Sequence, residues 1–185
     1  MVSLAQLWLP IVVSAVVVFF ASFLAWMVVG HHKTDWKKLP DEEGLIGELK
    51  KQKPAAGQYM FPHCADGKQR QDPEFQKRWK EGPAGSVVVF GPGQANMGKS
   101  LAQYSLLCLV VSVFVAYLAG HTLAAGREYL AVFRVAGTAS ILAWCGSVAS
   151  HSIWMGKTWS STWKDILDGI VYGLLTAGVF GWLWP

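Results

Sequence analysis

Four long apolar segments constrain this chain more than any other feature: Trp8 to Val29, Leu101 to Gly120, Tyr129 to Ser150 and Ile166 to Trp184, each with at most one charge inside. About 20 such residues at a rise of 1.5 Å cross a hydrocarbon core of about 30 Å. The expected fold is all-α and integral to a membrane. It is a bundle of four transmembrane helices, with a polar loop of about 70 residues, His31 to Ser100, between the first two spans. The chain thus divides into residues 1–30 (first span), 31–100 (loop) and 101–185 (three further spans). The first apolar run exceeds the 7–15 residues of a signal-peptide core, nothing cationic precedes it and no small-x-small cleavage site follows, so it is read as a retained helix.

Charge orients the spans. Of the 16 Lys and Arg residues the loop holds 12, and Lys33, Lys37, Lys38 and Lys99 lie close to the membrane. Lys157 and Lys164 in the third connection fall on the same side, and only Arg127 and Arg134 stand against them. Positive charge concentrates on the cytoplasmic face. Residues 31–100 are therefore expected in the cytoplasm and both termini outside, in a bacterial cytoplasmic membrane. The net charge of +4 is explained by this placement, so no nucleic-acid partner is inferred. Cys64, Cys108 and Cys145 lack C-x-x-C spacing, which excludes a disulfide framework or a zinc knuckle. Trp8, Trp26, Trp154, Trp159, Trp163, Trp182 and Trp184 sit near span ends, where indoles anchor at the interface.

Within the loop, Pro40-Asp41-Glu42-Glu43 opens a short helix, with Pro at its first position, three acids in its first turn and Lys50, Lys51 and Lys53 at its far end. A second is predicted from Pro73 to Glu81, capped by Asp72 and ended by Gly82-Pro83. Pro54 to Gln71 reads as irregular, and Ser86 to Phe90 is the one strand candidate.

Gly93-Gln94-Ala95-Asn96-Met97-Gly98-Lys99-Ser100 matches G-x-x-x-x-G-K-[ST] at every defined position, with Gly93, Gly98, Lys99 and Ser100 in the phosphate-binding roles. Three features oppose a nucleotide site: the following helix is a membrane span, no apolar strand ends in a magnesium-binding Asp, and the loop is too small for a multi-stranded parallel sheet. The same residues serve as a span entry, with Ser100 and Gln103 as a capping box and Lys99 at the interface; Thr162 and Asp165 repeat the pattern before the fourth span.

Gly169, Gly173, Ala177 and Gly181 recur every four residues down the fourth span, as do Cys108, Ser112, Ala116 and Gly120 on the second, with Ala139, Ala143 and Ser147 on the third. Rows of small residues let helices approach closely where no hydrophobic effect separates protein from lipid. They pack the bundle itself or form a seam for a second copy or another membrane subunit. Asp168 and Tyr172, one turn apart, with Asp165 nearby, are the candidates for a cation or proton path, since ionisable groups inside a membrane are functional by default. His151 falls at roughly the depth of His31 and His32, a geometry able to ligate b-type haem; His31, His32, His63 and Cys64 are an alternative soft-metal set. No Ser-His-Asp or paired-carboxylate arrangement is placed by spacing, so no enzymatic activity and no resident cofactor are expected. The leading expectation is a structural or accessory subunit of a membrane assembly, or a homo-oligomer, embedded in lipid. The alternative is a small transporter or channel using Asp168 and Tyr172, and a nucleotide- or haem-binding membrane protein ranks third.

Overall fold

A computed structural model describes residues 1–91, 93 and 96–185. The chain forms two compact units, one made of Met1–Trp36 with Met97–Pro185 and the other of Lys37–Asn96. The first carries four helices long and apolar enough to cross a membrane, over Trp8–Val29, Met97–Thr122, Tyr129–Met155 and Trp159–Trp182. The protein is mostly helical, and these four helices support its reading as a membrane protein.

The first span is α1 (Trp8–Phe23), continued by a π-helical turn over Leu24–Val29. Numbering continues through the loop unit with α2 (Glu42–Gln52), β1 (Gly57–Phe61), α3 (Pro73–Glu81) and β2 (Gly85–Val89). The remaining spans are α4 (Met97–Thr122), α5 (Tyr129–Cys145) with its short continuation α6 (Val148–Met155), and α7 (Trp159–Trp182). α1 packs on α4 and α7, and α5 packs on the same two helices, so the four spans close into a ring in which every neighbour is antiparallel.

Small residues set the spacing. A Cβ added at Gly173 would lie 2.3 Å from Ile141 Cγ1 and 3.0 Å from the Ile141 backbone nitrogen, and one at Gly169 would lie 2.6 Å from Cys145 Sγ. At Gly181 it would meet the Tyr129 ring at 2.7 Å. Ala177 is fully buried and lies across from Gly137. The row on α7 is thus filled by α5 of the same chain. On α4, Ser112 and Ala116 are buried in the bundle, and Gly120 faces the Val2 carbonyl at a distance that admits no side chain. Outward-facing Leu106, Phe114 and Leu142 are exposed, as lipid contact requires.

One half of the interior is apolar. Val2, Leu7, Ile11, Val115, Ala116, Val132, Ala136 and Phe180 form a buried apolar cluster near the end that holds the N-terminus, where Val2 N–H donates to Gly120 O at 2.8 Å. Toward the middle a few hydroxyls enter: Ser14 donates to Ser112 at 3.0 Å, and Thr176 donates to Tyr172 O at 2.9 Å.

Several local expectations need correction. Ser100 does not cap a span, because α4 already begins at Met97 and Ser100 lies inside its first turn. Thr162 likewise lies inside α7, whose start is at Trp159 after extended Thr158, and its hydroxyl is bonded to that of Ser152. Both capping boxes fail for the same reason: a helix nucleated one turn upstream has already engaged the backbone N–H groups that such a box would satisfy. The third span is interrupted at Gly146 and Ser147 and resumes as α6. In the loop unit Asp41 is the cap of α2, accepting from Gly44 N–H at 2.9 Å, so Pro40 precedes the helix and only Glu42 and Glu43 lie in its first turn. α3 has Asp72 as its cap, accepting from Glu74 N–H at 3.1 Å. β2 has a partner: Gly57–Phe61, inside the stretch read as irregular, pairs with it antiparallel, Tyr59 opposite Val87.

Candidate functional site

The residues that gather at the other end of the bundle come from the exit of the first span and the entrance of the last. The widened π turn ends at Gly30, whose φ of +64° belongs to the left-handed region that glycine occupies at no steric cost. The chain then folds back through a 3-10 turn, His31–Thr34, into Asp35. From α7, Ser161, Lys164, Asp168 and Tyr172 recur at intervals of three and four and so share one face of the helix. Three of them bind the turn. Ser161 Oγ donates to Asp35 Oδ2 at 2.9 Å, and Lys164 Nζ donates to Asp35 Oδ1 at 2.6 Å and to Thr34 Oγ1 at 2.7 Å. Asp168 meets both histidines: His31 Nε2 is 3.0 Å from Oδ1 and His32 Nε2 is 3.1 Å from Oδ2. Tyr172 OH donates to Oδ2 of the same carboxylate at 3.3 Å.

The geometry restricts protonation. His32 Nδ1 is 2.7 Å from Asp35 Oδ2 while Nε2 faces Asp168, so the ring lies between two carboxylates that can only accept. A neutral imidazole serves one of them; serving both takes an imidazolium. Burial acts to raise the Asp35 carboxyl, but hydrogen bonds from Lys164, His32 and Ser161 outweigh it and hold the group below the usual carboxylate range. Asp35 is therefore a fixed anion, neutralised by Lys164 and oriented toward His32 Nδ1. Trp26 stacks on the His32 ring at 4.0 Å with an interplanar angle of 9°, which fixes the plane of the imidazole. His31 Nε2, although 3.0 Å from Asp168 Oδ1, is off the line a hydrogen bond needs, and among the described residues it is a buried nitrogen without a hydrogen-bond partner. His32 is 3% and Asp168 8% exposed, so the Asp168 carboxyl is withdrawn from water, with no Lys or Arg within ion-pair distance among the described residues.

A cavity of about 520 Å³ adjoins this group, with Asp168 and Tyr172 in its wall. Its other walls are mostly apolar, from Phe19, Phe23, Trp26 and Met27 at the end of the first span, Leu101 and Tyr104 on α4, and Trp144 and Val148 on α5 and α6. Trp144 Nε1 is buried without a hydrogen-bond partner among the described residues. Lys157 and Asp165 line the same cavity and are paired with each other.

Candidates that the sequence offered for separate reasons converge here. His31 and His32, considered for haem or metal, and Asp168 and Tyr172, considered for transport, are in one group, and Asp165 is beside it. His151 lines the cavity but lies outside the set of donor atoms that approach one another. His63 and Cys64 belong to the loop unit, where Cys64 Sγ donates to Asp66 O at 3.1 Å. Of the nucleotide motif, Gln94 and Ala95 lie outside the described residues; Gly98, Lys99 and Ser100 are part of α4, and Gly93 is in a turn at φ +72°. The sheet preceding it is a two-stranded antiparallel pair, which lacks the parallel strand-to-helix setting of a phosphate-binding loop. Asp35 and Ser161 were not singled out by sequence, and Lys164 was read only as an orienting charge, although His32-x-x-Asp35 is a spacing that a search for oriented imidazoles would have found. Compared with protein-family models, curated proteins and solved structures, the chain matches none.

Proposed function

We propose that the protein is a small, non-enzymatic cation carrier of the membrane, with Asp168 as its ion-binding group. The observation that carries this reading is the position of Asp168: a carboxylate inside the last span, withdrawn from water, touched by two imidazoles and a phenol, and set in the wall of a cavity. Holding an ionisable group there is costly, and the arrangement is of the kind membrane proteins keep for ion paths. The site lies at the end where Lys and Arg cluster, which is the cytoplasmic face by the positive-inside rule, with both termini outside. The packed apolar cluster around Leu7 and Phe180 closes the opposite half, so transport requires the helices to rearrange around the site, as in a carrier, instead of ions flowing through an open pore.

The test is flux. Wild-type protein in liposomes should move protons or a divalent cation down an imposed gradient, and Asp168→Asn should reduce the rate at least about tenfold, the effect of losing a path's central charge. Proteoliposomes no leakier than empty vesicles to both classes of cation refute the reading.

A second reading, an accessory subunit of a larger assembly, draws on the loop unit, where Tyr59, Met60, Phe61 and Trp79 are exposed and Phe75 stacks on Trp79 at 6.1 Å. Such a surface fits a protein partner. The small-residue rows on α7 and α4 lend it no support, since α5 and the N-terminal segment of the same chain already occupy them, while Ala143 and Ser147 of the third row are exposed.

A further inference from the structure

We infer that His31, His32 and Asp168 bind a divalent transition-metal ion. The inference names the cation class of the proposed carrier and rests on that reading for its role, though not for the binding itself. One ligand atom from each residue lies within 4.8 Å of the other two. Two features show that these atoms are arranged as electron-pair donors. His32 Nδ1 is engaged by Asp35, which Ser161 and Lys164 hold in place, so in the neutral ring the proton is on Nδ1 and the Nε2 lone pair faces Asp168. A carboxylate behind a ligating imidazole is the usual outer partner of a metal-bound histidine. His31 Nε2 is buried, close to the same carboxylate and without a hydrogen bond among the described residues.

Two neutral imidazoles and a carboxylate that share no proton repel one another through their lone pairs, and a cation between them removes the conflict. Nitrogen donors favour zinc, iron(II) or cobalt over calcium and magnesium, which take oxygen ligands. With metal–ligand bonds of about 2.0–2.1 Å, tetrahedral donors stand about 3.4 Å apart. His31 and His32 stand 3.0 and 3.1 Å from different oxygens of Asp168, and one atom from each of the three residues lies within 4.8 Å of the other two, so modest side-chain shifts bring the set to that spacing. Three protein ligands leave a fourth position for water or exchange, which suits an ion that must enter and leave. The competing occupant is a proton: an imidazolium at His32 would satisfy both carboxylates with no metal.

Purified full-length protein, stripped with chelator and kept in detergent micelles, is titrated with Zn²⁺ against a chromogenic chelator, and separately with Co²⁺ while visible absorption is recorded. The inference expects one ion per chain at micromolar affinity or tighter and a Co²⁺ d–d spectrum of a four- or five-coordinate site. Asp35→Asn should weaken Zn²⁺ about 10- to 100-fold, as loss of an outer partner does. His31→Ala and His32→Ala should weaken it further, with helicity by circular dichroism and elution volume checked for each. The Co²⁺ spectrum is read on wild type, so it stands even if a variant misfolds. Absence of micromolar Zn²⁺ binding to wild type overturns the inference, as does binding that survives both histidine variants or that is lost with His63→Ala instead. Asp168-dependent proton flux without metal binding also overturns it while leaving the carrier in place; metal binding without any flux upholds it and removes the carrier.

Discussion

The contact between α5 and α7 allows a sharp test, because two glycines on one helix sit in opposite circumstances. A Cβ at Gly173 would stand 2.3 Å from Ile141 Cγ1, 3.0 Å from Ile141 N and 3.2 Å from Ile141 Cα, whereas at Gly178 the nearest atom is Tyr129 OH at 3.7 Å. Carbon atoms rest at about 3.5–4.0 Å, so Gly173→Ala must move a neighbouring backbone by roughly half an ångström, and rotating the Ile141 side chain cannot relieve it. Overpacking of this kind costs about 1–3 kcal/mol. Both substitutions gain the same helix preference, about 0.5–1 kcal/mol, which cancels between them. Gly178→Ala should therefore be neutral or slightly stabilising, and Gly173→Ala should be less stable than it by about 1–3 kcal/mol, with Gly173→Leu lower still. Denaturant unfolding in detergent micelles, followed by far-ultraviolet circular dichroism, measures the difference. Because the row is filled from within the chain, elution volume should stay at the wild-type value in all three variants. Equal stability of the two alanine variants would refute the packing argument, and a smaller assembled species for Gly173→Leu would place the row against a second copy.

Two further outcomes follow from particular groups. Asp35, whose carboxyl is held below the usual range, stabilises the fold at every pH above its ordinary value of 3.8, and this contribution is lost as pH falls from there through the lower folded value; acid unfolding curves should show the loss in wild type and lack it in Asp35→Asn. Lys99→Ala should leave ATP and GTP binding at background, and micromolar binding abolished by that change would restore the nucleotide motif, against which the antiparallel strand pair before it speaks.

The spans were legible because a hydrocarbon slab asks only for length and apolarity, and four segments supply both. Helix starts were less so: Ser100-x-x-Gln103 and Thr162-x-x-Asp165 have the form of capping boxes, yet a local pattern carries no information about a turn already formed before it. β1 was hidden because Gln58 to Phe61 lies between Gly57 and Pro62, and its reason to be extended is the distant β2. At the site, His31, His32, Asp168 and Tyr172 each stood out as polar groups near span ends. Their meeting did not, since it depends on α1 and α7 being neighbours in the ring and on Gly30 turning the chain back. Trp26 was read as an interface anchor, and its stacking on His32 is a property of that fold-back alone.

The contact between His32 and Asp168 spans 136 positions of the chain, and this has a consequence for biogenesis. The imidazoles are made with the first helix, and their carboxylate arrives only with the last. Before α7 is made, the His31–Asp35 turn has only neighbours from its own end of the chain, Trp26 stacked on His32 and His32 bonded to Asp35, and its ties to Ser161, Lys164 and Asp168 must wait for the last helix. The clasp therefore depends on completion: a chain that stops before its last helix leaves Asp35 without Lys164 and Ser161, and both histidines without Asp168.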